Sequence, residues 1–166
     1  MLNFKKILII AAHPDDEILG CGGMISKFRK LDIDFKVIFI AEGSTCRFNS
    51  ISDKGAKEEI IKRNNYAIDV MEFIGIKKYK FYNLPCGRLD KVPIIEINKI
   101  IEKNINEYAP DAVFTHSSSD CNNDHKIIFN SSLMATRPVP NNNVLNLFSF
   151  EILTSSEWNF ENQFIP

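Results

Sequence analysis

The run Ile7-Leu8-Ile9-Ile10 leads through Ala11 straight into Ala12-His13-Pro14-Asp15-Asp16-Glu17. Consecutive aliphatic residues with no polar alternation describe a strand covered on both faces. A histidine, a proline and three consecutive carboxylates then stand where that strand should end. Concentrated charge at such a place needs a cationic partner. Imidazole together with carboxylate is the donor set a divalent metal such as zinc takes. A helix dipole alone would favour Asp15, Asp16 and Glu17 at its N-terminus, but it leaves His13 unexplained.

Working outward, apolar runs alternate with helical patterns. Strands are expected over residues 6–12, 35–41, 79–83, 112–116 and 145–152, and helices over 16–30, 53–74, 93–107 and 124–135. In the third helix Ile94, Ile97, Ile100, Ile101 and Ile105 recur at spacings of three and four and form one apolar stripe. Gly75 closes the second helix as a C-cap. Pro138 to Asn143 reads as a turn-rich connection. This alternation predicts right-handed βαβ units, that is, an α/β Rossmann-like three-layer sandwich with a mostly parallel central sheet. Gly20-Cys21-Gly22-Gly23 lies inside a helical pattern. It reads as close packing of that helix on a neighbouring strand rather than as a phosphate-binding loop.

Open sheets of this kind bind ligands beyond the carboxyl ends of their strands. His13 to Glu17, Glu42 to Arg47, Leu84 to Arg88 and His116 to His125 each follow a strand, so every unusual polar cluster lands on one edge. The late cluster Asp120-Cys121-Asn122-Asn123-Asp124-His125 offers His125 as a third ligand beside His13 and Asp16. Three protein ligands leave metal positions open, which is a catalytic arrangement. If Asp16 is a ligand, Asp15 is left as general base. Pro14 suits a first helical turn. Asp124 reads as a cap for the following helix, and Asp120 or Asn122 as groups that orient ligands or substrate. Together the two clusters point to a metal-dependent hydrolase.

The bulk composition narrows the class. The chain has 166 residues, 45% hydrophobic and 25% charged, with a net charge of −1. It fits one domain over residues 1–166 with a full core. The charge balance gives no electrostatic case for nucleic acid or an anionic membrane. No segment reaches the roughly 20 apolar residues of a transmembrane span. The first apolar run leads into the charged motif rather than into a cleavage site, so a cytoplasmic location is expected. Cys21, Cys46, Cys86 and Cys121 are widely spaced, with no CxxC pair, and read as free thiols.

AHPDDE, then GCGG, then a late DxNxDH resemble the PIG-L/LmbE family of zinc-dependent N-acetylglucosaminyl deacetylases. The likeness runs over nearly the whole chain. Glu42 to Arg47 resembles the family's loop after strand two. Leu84-Pro85-Cys86-Gly87-Arg88-Leu89-Asp90 resembles its LPDGRLD-like loop, and Phe114-Thr115-His116 precedes the late motif as in many members. Phe150-Glu151-Ile152 with Ser155-Ser156-Glu157-Trp158 resembles a bacterial branch tied to sugar and surface-polysaccharide pathways. The resemblance implies zinc, or another divalent metal, on His13, Asp16 and His125, with Asp15 as base. It implies hydrolysis of the acetamide of an N-acetylglucosamine-type sugar, free or carried on a nucleotide or lipid, with release of acetate. It also implies that Arg47 contacts substrate; Arg88 is a second candidate. Members often form oligomers, so a homo-oligomer is left open.

Three departures stand out. Many members carry a histidine where this chain has Asn122, which can donate a hydrogen bond but cannot deliver a proton near neutral pH. His116 is then a candidate to assist at the substrate. Cys86 replaces the aspartate of the LPDGRLD-like loop. The sequence ends at Phe160 to Pro166, where members usually continue, so the family's usual C-terminal extension is expected to be lacking. A catalytically degenerate sugar- or metal-binding protein of the same fold is the alternative.

Overall fold

A computed structural model describes residues 4–50, 52–139 and 144–158. Five strands, β1 (Lys6–Ala11), β2 (Asp34–Ala41), β3 (Lys78–Leu84), β4 (Ala112–His116) and β5 (Asn146–Phe150), form one sheet in the order β3-β2-β1-β4-β5. All neighbours are parallel; Ile9, for example, lies between Val37 and Phe114. Helices α1 (Asp16–Phe28), α2 (Lys54–Ile74), α3 (Ile94–Tyr108) and α4 (Asn123–Ala135) make the crossovers, and a short α5 (Leu153–Ser156) follows β5. The expected α/β architecture is present. No helix among the described residues is long and apolar enough to cross a membrane. Residues 140–143 of the turn-rich connection and the closing stretch from Phe160 lie outside the described residues.

The two-residue period of a strand explains the two cores. Ile7, Ile9 and Ala11 with Val37 and Phe39 face α1 and α2, meeting Cys21, Ile25, Ala67 and Met71. Leu8, Ile10 and Ala12 with Ile38 and Ile40 face α3 and α4, meeting Ile97, Ile101, Ile105 and Ile128. Each large aliphatic side chain so buried contributes about 1.5–3 kcal/mol. In α3 the stripe is narrower than expected: Ile97, Ile101 and Ile105 are buried, whereas Ile94 is exposed in the first turn. Gly75 caps α2 in the left-handed conformation, φ 79°, where no Cβ can clash.

Gly20 explains part of the GCGG run. A Cβ there would stand 2.2 Å from the ring of Phe150 on β5, so α1 approaches the sheet edge closely. Gly23 has nothing within 4 Å and needs no such explanation.

The order of strands reverses direction between β1 and β4. The connections from their carboxyl ends therefore leave toward opposite faces of the sheet and open a crevice there. His13 follows β1, His116 ends β4 and His125 opens the helix after β4.

Candidate active site

Helix α1 begins at Asp16, its expected start, and Pro14 lies two residues ahead of it rather than in its first turn. Asp15 is the N-cap, at φ 146° and ψ −28°. The physical reason is a tight turn: the backbone N–H of His13 donates to Asp16 Oδ2 at 2.8 Å, and that of Asp15 to Glu17 Oε2 at 2.9 Å. The turn faces Asp16 inward and leaves Asp15 at the cleft.

His13, Asp16 and His125 are buried, with ligand-type atoms within 4.8 Å of one another. Asp16 Oδ2 lies 3.4 Å from His13 Nδ1 and 3.4 Å from His125 Nε2. Each imidazole is backed by a carboxylate on its far nitrogen. His13 Nε2 is 3.0 Å from Asp124 Oδ2, and His125 Nδ1 is 3.0 Å from Asp120 Oδ2. That is how metal-binding histidines are held in orientation and made better donors.

The electrostatics of this group favour a cation. Burial alone would lower the His13 pKa, but hydrogen bonds to Asp124 and Asp16 raise it well above the ordinary value. Burial likewise opposes charge on His125, yet Asp120 and Asp16 push it up to about 9. Against burial, the His125 and His13 imidazoles facing its Oδ2 hold Asp16 well below the carboxylate range. His125 Nε2 is buried and has no hydrogen-bond partner among the described residues. An orphaned buried nitrogen beside an ionised carboxylate and a second imidazole fits a divalent metal.

Asp120 also accepts the backbone N–H of Asn122 and the hydroxyls of Ser155 and Ser156, tying α5 to the site. Asp124 does not cap α4. Asn122 does, its Oδ1 accepting the N–H of Asp124 at 3.0 Å, because it sits two residues earlier in extended backbone. Asp124 is thereby free to take the N–H groups of Gly87 and Leu89 as well as His13. Against burial, the hydrogen bond from His13 helps hold its pKa low.

A cleft of about 410 Å³ opens on this group. It is lined by His13, Asp15, Asp16 and His125, by Gly43, Cys46, Arg47 and Arg63, by Cys86, Cys121 and Asn122, and by Ile152, Thr154, Ser155 and Trp158. A larger hollow of about 630 Å³ at the other end of the sheet, around Gly75, brings no histidine or carboxylate cluster together. Chemistry rather than volume therefore marks the site.

Arg47 is exposed on a 3-10 turn, Thr45–Arg47, its Nη1 donating to Gly43 O at 2.9 Å. It lines the cleft; Arg88 does not. His116, expected at the substrate, is wholly buried and lies behind His125 with ring centroids 4.0 Å apart. Its Nε2 accepts the N–H of Ala12 at 2.9 Å, and burial pushes its pKa down to about 3. His116 is thus a neutral packing partner, closed off from the cleft.

Two residues join the site for which the sequence suggests no role: Arg63, which does not stand out there at all, and Glu42, which figures only as part of the polar cluster after strand two. Arg63 of α2 donates through Nη2 to Asp15 Oδ2 at 2.5 Å and through Nε to Pro14 O at 3.1 Å. It crosses over Gly43, where a Cβ would stand 2.6 Å from Nε. Glu42, buried, accepts the N–H groups of Ser44 and Thr45 and, from the next loop, of Cys86 at 2.7 Å. Burial and the neighbouring Asp16 raise the Asp15 pKa, while Arg63 pulls it down.

A family profile described as PIG-L, GlcNAc-PI de-N-acetylase, matches residues 8–136, most of the chain. The chain belongs to the PIG-L family. The matched span carries all of the histidine and carboxylate groups described above. A curated relative, the uncharacterized deacetylase YaiS of Escherichia coli (strain K12), is 23% identical over 141 residues, 82% of this chain and 70% of that protein. Among solved structures, N,N'-diacetylchitobiose deacetylase from Pyrococcus horikoshii superposes with a TM-score of 0.70 at 23% identity, covering 85% of this chain and 53% of the other. A deacetylase of the teicoplanin biosynthesis pathway gives 0.77 at 15% identity, covering 98% and 73%. At these identities the superpositions show a shared fold. The chain spans about half the length of the chitobiose deacetylase.

Proposed function

We propose that this PIG-L chain is a metal-dependent N-deacetylase acting on the acetamide of an N-acetylglucosamine-type sugar, with zinc as the metal. The observation that carries the reading is the buried His13–Asp16–His125 group, each imidazole backed by its own carboxylate, at the floor of a cleft that Asp15 borders. The deacetylases among its relatives support the reaction class.

A divalent ion held by His13, Asp16 and His125 would supply Lewis-acid polarisation of the acetamide carbonyl and acidify the attacking water. Asp15 accepts the water proton as oxygen attacks the carbonyl carbon. The C–N bond then breaks, Asp15 returns the proton to the leaving amine, and acetate and a free amino sugar depart. Neither Asn122 nor the enclosed His116 can deliver that proton, so Asp15 serves in both steps. Arg63 holds Asp15 in place and opposes the burial and the Asp16 charge that raise its pKa. Arg47, on the rim, is suited to a phosphate or hydroxyl of the sugar's carrier.

Acetate release from free, nucleotide-linked and lipid-linked N-acetyl sugars tests the proposal. Release should vanish on chelation, return with zinc, and fall by about 10²–10⁴-fold in Asp15→Asn, the usual worth of a general base. Folded, zinc-loaded protein that releases no acetate from any of them would sink the reading in favour of a non-catalytic sugar- or metal-binding protein.

A further inference from the structure

Cys46 and Cys86 lie forty residues apart in sequence, on the loops after β2 and β3, yet their sulfur atoms are 3.1 Å apart. Two thiols at that separation need to close by about 1 Å to reach the 2.05 Å of a disulfide. The loops that carry them are held together independently of the sulfurs. Glu42 accepts N–H groups from the turn that bears Cys46 and from Cys86 itself. A Cβ at Gly87 would stand 3.0 Å from Cys46 Cβ, so the two backbones run in close approach. Cys46 is exposed and Cys86 is buried, and both border the cleft.

We propose that Cys46 and Cys86 are a redox pair that closes reversibly into a disulfide across the mouth of the cleft. The oxidant is a hydroperoxide such as hydrogen peroxide. Cys46 gives up its proton and attacks one peroxide oxygen as the thiolate; the O–O bond breaks, Cys46 becomes a sulfenic acid, and the departing hydroxide takes up the thiol proton and leaves as water. The Cys86 sulfur then attacks the Cys46 sulfur; the S–O bond breaks and a second water leaves, carrying the Cys86 proton. Two thiols have given up two electrons, and the peroxide has taken them. A thiol or dithiol reductant reverses the change by exchange. In a reducing compartment such a bond is transient and regulatory rather than structural.

The link would fasten the turn carrying Arg47 against the loop of Cys86 and draw the Cys86 sulfur away from His13 and Asp124, whose ligand-type atoms lie within 4.8 Å of it. Restricted substrate entry follows, a consequence that rests on the cleft being the substrate site proposed above.

The zinc-loaded full chain, treated with hydrogen peroxide, alkylated and peptide-mapped, tests the pair. The expected product is two hydrogens lighter, carries one Cys46–Cys86 linked peptide, leaves Cys21 and Cys121 alkylated, keeps its zinc, and returns to four free thiols with dithiothreitol. In Cys86→Ser, Cys46 should stop at a sulfenic acid that dimedone traps; Cys46→Ser, at an exposed position, should give no linked peptide. Peroxide-treated protein with both thiols still free, with Cys46 linked to Cys121, or with Cys46 driven to sulfinic acid would overturn the proposal. For the consequence, KM for the acetamido sugar should rise several-fold on oxidation and recover on reduction; equal KM in both states removes the gating role. Protein that forms the link but releases no acetate in either state counts against the deacetylase reading and leaves the pair standing.

Discussion

Arg63 Nη2 lies 2.5 Å from Asp15 Oδ2, and its Nε donates to the carbonyl of Pro14, the residue before. One guanidinium therefore fixes both the side chain and the backbone of a residue whose φ of 146° is unusual for anything but glycine. Local strain of this sort persists where surrounding contacts over-determine it.

Arg63→Ala should lower kcat at pH 7 by roughly tenfold or more, since a misplaced base loses much of its 10²–10⁴-fold contribution. The sign of the pH effect is fixed. Arg63 favours the ionised carboxylate, so its removal raises the Asp15 pKa and moves the acid limb of kcat/KM to higher pH. Arg63→Lys should restore part of the charge effect but not the two-point hold. An unshifted acid limb in Arg63→Ala would remove Asp15 as the titrating base.

Asp120→Ala tests the carboxylate behind His125. Loss of such a partner costs about 10–100-fold in metal affinity. Competition against a chromogenic chelator reads it directly. Because Asp120 also accepts from Ser155 and Ser156, the same substitution should loosen α5 and increase cleavage there by protease. Unchanged zinc affinity would mean that the His125 ring is held by packing on His116 alone.

Metal-free protein should lose stability as pH rises from 6.5 to about 9. The folded state holds a proton on His125 up to about 9, against an ordinary value of 6.5. A group with a raised folded pKa stabilises fully below its unfolded pKa, and that stabilisation is lost as pH rises through the folded pKa. Asp16, shifted the opposite way, contributes above its ordinary value and loses its contribution on acidification. Zinc bound as proposed would take the place of that proton, so the difference in Tm between loaded and metal-free protein should widen over the alkaline window. Parallel Tm curves for the two forms would argue that the metal is not bound at His125.

The architecture was legible because its signals are local. Ile7 to Ile10 and Ala112 to Phe114 announce buried strands by unbroken apolar character, and Gly75 announces a helix end by its backbone freedom. Element boundaries differ by a few residues at most, with β5, Asn146–Phe150, shorter than the expected 145–152. The switch-point rule gathered His13, Asp16 and His125 at one edge without coordinates. What stayed hidden depends on tertiary register. Arg63 sits mid-helix among Lys62, Asn64 and Asn65, and nothing local distinguishes it from a solvated face until α2 is laid over Pro14. His116 and His125 look alike in sequence, but the strand-end ring is turned under the other and spends Nε2 on a backbone amide. Asp124 resembles a cap; the preceding Asn122 takes that role, and the carboxylate turns to His13.

Gly20 and Gly23 share α1 and predict opposite outcomes for the same substitution. Alanine normally favours a helix over glycine by about 1 kcal/mol. At Gly23, with nothing within 4 Å, that preference acts alone, and Gly23→Ala should raise stability by about 0.5–1 kcal/mol. At Gly20 the new methyl would meet the Phe150 ring at 2.2 Å. Phe150 is buried and rests on His116, with centroids 4.7 Å apart, so it has little room to yield. Overpacking costs about 1–3 kcal/mol and outweighs the helical gain. Gly20→Ala should therefore lower Tm. Because the ring would press on His116, which stacks on His125, it should also weaken zinc retention a few-fold. Chemical denaturation and zinc titration of both variants check this. A stabilised Gly20→Ala with normal zinc affinity would show that α1 and β5 are not in close contact.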